Sequence, residues 1–151
     1  MQVDNLIQLI KDQANNLDEL IINLKMIQQY IVANDLENLQ DQIEREEKIL
    51  HHIKQKEEER TNEVKELIKQ ENLDCSIEDS MDKISEILND VDAALCDEFL
   101  LWRKELTENV GQVMYLNSQN SILINNSRKF IRDLIKNLLG SKKDNFFDRK
   151  I

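Results

Sequence analysis

Nothing in this chain is made to turn sharply. Proline is absent from its 151 residues, and glycine occurs only at Gly111 and Gly140. These two residues are the usual punctuation of hairpins, tight turns and phosphate-cradling loops. The chain is rich instead in Leu, Ile, Glu, Lys and Gln, residues that favour long helices, and only 5% of it is aromatic. At this length it reads as a single domain. The expected class is all-α, a long antiparallel, coiled-coil-like bundle of three main helices plus a short connecting helix.

The apolar pattern supplies the helices. Over 2–32, Val3, Ile10, Leu17, Leu24 and Ile31 repeat every seven residues, with Leu6, Leu20 and Ile27 beside them. Such a repeat keeps one seam toward a partner helix. Ala33-Asn34-Asp35 breaks the pattern. Asn34 tolerates a left-handed cap, and Asp35 can accept the free amides that open the next helix. The second helix is expected over 36–72, antiparallel to the first, with Leu36, Leu39, Ile43, Ile49, Leu50 and Ile53 facing it. Between Lys54 and Glu63 its apolar face disappears, which reads as a solvated stretch held by ion pairs between successive turns. Ser76 followed by Asp79 resembles a capping box and predicts a short helix over 77–88, with Met81, Ile84 and Leu88 inward.

The last helix is expected over 91–139, with Phe99 and Trp102 in the bundle's own core. Its stretch Leu106–Leu139 is the part the rest of the chain is expected to be arranged around. Leu106, Val110, Val113, Leu116, Leu123, Phe130, Leu134 and Leu138 form one apolar line. A second runs through Ile124, Ile131, Ile135 and Leu139. Together they cover about 180° of the helix, more than one packing partner requires. Running back along the second helix, this one overshoots it by roughly 18 Å at 1.5 Å per residue. The overshoot falls on about 128–139, so its second apolar line is free for another molecule. Asn117 and Asn120 lie on the same apolar side. They either set helix register inside the bundle or present amides to a partner. The domain is expected to end at Gly140, with 141–151 a flexible tail.

Charge and chemistry narrow the function. The net charge is −10, but residues 128–151 carry eight Lys/Arg against three Asp/Glu. The acidic remainder argues against nucleic acid as a general partner. No run of 18 apolar residues exists to span a membrane, no signal-peptide pattern opens the chain, and a cytoplasmic location is the default. Cys75 and Cys96 read as reduced thiols. Glu47 and His51, four apart, make at most half of a metal site and read better as helix surface. There is no Gly-rich phosphate loop and no nucleophile elbow. No cofactor, metal or catalytic residue is expected, and the chain is not expected to be an enzyme.

Three stretches carry a family resemblance: LDELIINL in the first helix, ANDLENLQDQIEREEKIL across the first turn, and ELTENVGQVMYLNSQNSILINNSRKFIRDLI in the last helix. In the third, Asn117, Asn120, Leu123 and Ser127 fall into an N-x-x-N-x-x-L-x-x-x-S pattern. The chain resembles the FlgN-like family of flagellar export chaperones. The resemblance implies partners: the C-terminal helical segments of hook-associated proteins 1 and 3, and components of the flagellar type III export apparatus. The partner-binding surface is then expected on Asn117, Asn120, Leu123, Ile124, Ser127, Phe130, Ile131, Leu134, Ile135, Leu138 and Leu139. A homo-oligomeric coiled-coil scaffold is the competing class, and a membrane adaptor using the basic end is a third.

Overall fold

The computed structural model describes residues 1–139, apart from the side chains of Ser127, Arg128, Phe130, Leu134 and Leu139. The expected tail, 141–151, lies outside the described residues. Four helices follow in order: α1 Asp4–Ala33, α2 Leu36–Gln70, α3 Ile77–Val91 and α4 Ala93–Leu139. No strand occurs among the described residues. The protein is an all-α helical bundle.

Short side chains set the joints. Asn34 adopts the left-handed conformation (φ 54°, ψ 36°) that closes α1. Next to it, the Asp35 carboxylate accepts the Asn38 N–H at 3.3 Å and opens α2. Asn72 is again left-handed (φ 50°), and α2 accordingly stops at Gln70, two residues short of the expected end. The Ser76 hydroxyl accepts the Asp79 N–H at 3.2 Å and starts α3. That helix continues to Val91, three residues beyond expectation. There Asp92 turns extended and accepts the Leu95 N–H at 3.1 Å, so α4 begins at Ala93 rather than Val91.

The organising element is α1, not the C-terminal helix. Twelve of its thirty residues are buried, in a broad arc that two neighbours share. On one flank α2 runs antiparallel to it: Asn5 reaches Glu63, Gln13 reaches Glu57, and Asn23 reaches Gln42. On the other, α4 runs parallel: Lys11 pairs with Glu98, Asn109 donates to the Ala14 carbonyl, and Asn120 to that of Leu24. Among the described residues α2 and α4 make no close backbone approach to each other. α4 runs the whole length of α1 and beyond its end, and α3 packs antiparallel on its first turns (Arg103 to Asp82, 3.1 Å).

Two apolar clusters hold the bundle. The first joins Val3, Leu6, Ile7 and Ile10 of α1 to Val64 and Leu67 of α2, Ile84 and Leu88 of α3, and Phe99 of α4. Phe99 is fully buried there. Trp102 is only half-buried, with the Lys11 ammonium 5.5 Å from its ring. The second cluster joins Leu17, Leu20, Leu24 and Ile27 to Ile49 and Leu116. Between the clusters the polar stretch Lys54–Glu63 is not simply solvated. Gln13, buried in α1, donates to Glu57 at 2.6 Å, and Lys56 pairs with Asp12 at 3.5 Å. Burial alone pushes the Glu57 carboxyl up. Hydrogen bonds from Arg60 and Gln13, and the Arg60 charge, outweigh that and hold it below its ordinary value.

Candidate functional site

The helices leave part of their apolar surface uncovered, and the uncovered part is ordered. On α2, Ile49 is buried against α1, and Leu39 and Ile53 are half-buried beside it. Leu36, Ile43 and Leu50, also expected to face α1, are instead 70%, 37% and 45% exposed. At 100° per residue Leu50 lies a quarter-turn around from Ile49, and steps of seven return Ile43 and Leu36 to the same side. On α4 a matching line runs through Val110, Asn117, Ile124, Ile131 and Leu138, again in steps of seven. Every member is exposed, Val110 by 43%, Ile124 by 37%, Ile131 by 45% and Leu138 by 72%.

The two lines meet at the α1–α2 turn. There a cleft of about 180 Å³ is lined by Tyr30, Ile31 and Asn34 of α1 and its turn, Leu36 and Leu39 of α2, and Ile124 and Ile131 of α4. On the far side of α1 a second cleft, about 360 Å³, lies between Leu123 and Gln28, Gln29, Val32 and Ala33. With Asn120 level with Leu24, the last residue of α1 is level with about residue 129 of α4. From there to Leu139 the helix extends past the bundle by roughly 15 Å.

The residues singled out from the sequence fall into three groups. Ile124, Ile131, Leu138 and Leu123 sit on the uncovered surface or its clefts, and Ile135 is half-buried just beyond. Asn120 is buried inside the bundle, where its Nδ2 donates to the Leu24 carbonyl at 3.0 Å and fixes α4 against α1. Asn117, three residues earlier, faces outward among the exposed line. The side chains of Ser127, Phe130, Leu134 and Leu139 lie outside the described residues. Sequence reasoning missed the α2 line altogether. The 36–43–50 spacing is present in the sequence, but with Leu39, Ile49 and Ile53 it forms one face too wide for α1 to cover.

Electrostatics along the surface are uneven. Glu46, half-buried between Ile43 and Leu50 in sequence, carries a carboxyl pushed above its ordinary value, first by burial and then by the neighbouring Glu47. No hydrogen bond or ion pair reaches it among the described residues. At the other end Lys129 and Lys136 are exposed on the overhang. His51 and His52 are exposed on α2, and among the described residues no three His, Cys, Asp or Glu side chains gather to hold a metal ion. Among the same residues no helix is long and apolar enough to cross a membrane.

The family model described as FlgN protein matches residues 1–150. The chain belongs to the FlgN family. Membership implies a flagellar export chaperone, and flagellar proteins as its partners. Neither the curated proteins nor the solved structures compared with this FlgN-family chain give a match.

Proposed function

We propose that this protein is a cytoplasmic export chaperone for the hook–filament junction proteins, hook-associated proteins 1 and 3. It binds their C-terminal helical segments, keeps them unassembled and brings them to the flagellar type III export apparatus. The observation that carries this reading is the exposed heptad line of α4, which runs beside α1 on Val110 and Ile124 and continues past its end on Ile131 and Leu138. Client segments that later assemble through apolar helix faces need such a surface as a temporary cover, the helix-in-groove mode of recognition. In this reading the chaperone binds and carries, and it catalyses nothing.

Co-purification with the C-terminal segment of hook-associated protein 1 tests the reading. The wild-type chain retains the segment. The double variant Ile131→Asp, Ile135→Asp loses it while keeping its helix content. Equal retention by the variant would remove this end of α4 from the site. A wild-type chain that holds neither hook-associated segment, and that light scattering shows as a homo-oligomer, would favour a scaffold.

A further inference from the structure

The client surface described so far lies on α4, but the bundle leaves a second line exposed opposite it. α2 and α4 flank α1 and run antiparallel to each other. The contacts to α1 therefore fix which residues lie level. Asn23 touches Gln42 on one side, and its neighbour Leu24 touches Asn120 on the other. This places Ile43 level with Asn117. Seven residues along each helix, Leu50 comes level with Val110. In the other direction Leu36 comes level with Ile124, and these two share a cleft. Two antiparallel heptad lines in register, on helices that make no close approach to each other among the described residues, can wall the two sides of a groove for a further helix.

Resting on the chaperone reading above, we infer that α2 and α4 together hold one amphipathic helix of the client, as the fourth helix of a bundle, with a Lys or Arg of that helix facing Glu46. Charge selects this occupant. A second copy of the chain carries the same net charge of −10 and would meet this one with overall repulsion. Among the described residues no cation pairs with Glu46, and covering it with an apolar or acidic neighbour would desolvate a carboxylate without compensation. A cationic side chain supplies the missing partner. The exposed Lys129 and Lys136 on the overhang favour acidic residues on the part of the client helix that reaches that far. The charge pattern thus discriminates among clients whose apolar lines are alike.

The test uses the full chain and two probes. The first is the C-terminal segment of hook-associated protein 1. Leu50→Gln and Ile43→Gln, both exposed and both to good helix formers, are expected to weaken its binding at least tenfold together. If they leave affinity unchanged while Ile131→Asp abolishes it, the client lies on α4 alone and the two-walled groove is wrong, though the chaperone reading survives. The second probe is a designed three-heptad amphipathic peptide carrying either Lys or Glu at the position facing Glu46. It does not depend on the hook-associated proteins being the clients. The Lys peptide is expected to bind about tenfold more tightly, and Glu46→Gln removes the difference. Equal binding of the two peptides to the wild-type chain overturns the inference. So does a groove filled by a second copy, seen as a dimer by light scattering that Leu50→Gln converts to monomer.

Discussion

Single side chains divide between those that hold the bundle and those left uncovered, and burial rather than residue type separates them. Phe99 is fully enclosed by α1, α2 and α3, so Phe99→Ala should cost about 3–5 kcal/mol in denaturant unfolding. Trp102 is larger but half-buried. Truncation there removes less contact, and Trp102→Ala should cost roughly half as much. A Trp102 loss equal to that of Phe99 would contradict this ordering. Glu46 behaves in the opposite way. Its folded-state pKa is raised, so the folded state carries a penalty above that pKa, which disappears as the pH falls toward the ordinary glutamate value. Glu46→Gln is therefore expected to raise the melting temperature at pH 7. The gain should shrink to nothing on acidification. A variant less stable than wild type at pH 7 would mean that the carboxylate has a stabilising partner.

At the level of elements, most of the joints were legible because each depends on one or two local residues. Asn34-Asp35 and Ser76–Asp79 cap where the sequence says they should, since a left-handed Asn or a hydroxyl acceptor acts within its own turn. Which helix is central was not legible. Both α1 and α4 carry wide apolar arcs, and only the tertiary arrangement shows that two neighbours share the arc of α1 while α4 keeps part of its own. The α2 line is hidden in the sequence for a related reason. Periodicity identifies the apolar residues but cannot say whether one partner or two will cover them. Gly111 gives an element-level test. α4 passes through it without interruption, and a methyl group added there would meet nothing within 4 Å. Gly111→Ala should raise stability by about 0.5–1 kcal/mol through the lower entropy of the unfolded chain. A loss of stability would reveal a kink or partner contact at this position.

Across the whole molecule, burial divides the length of α4. Among the described residues the buried ones of α4 run from Cys96 to Asn120, packed against α1 or α3. Beyond the end of α1 the described side chains are exposed, apart from the half-buried Ile135. A helix that protrudes from its bundle gains little from tertiary packing and depends on its own turns, so the last three turns contribute little to global unfolding. Ending the chain after Arg132 should therefore leave the melting temperature within about 3 °C of the full-length value, a difference of under roughly 1 kcal/mol. The same truncation removes Ile135 and Leu138, each able to contribute about 1.5–3 kcal/mol when a client covers it. Affinity for the C-terminal segment of hook-associated protein 1 should fall at least tenfold, because even one such side chain exceeds the ~1.4 kcal/mol that a factor of ten requires. A truncated chain that melts far below wild type would place these turns in the core. One that melts normally and binds normally would confine the client to the groove beside α1, between Val110 and Ile131.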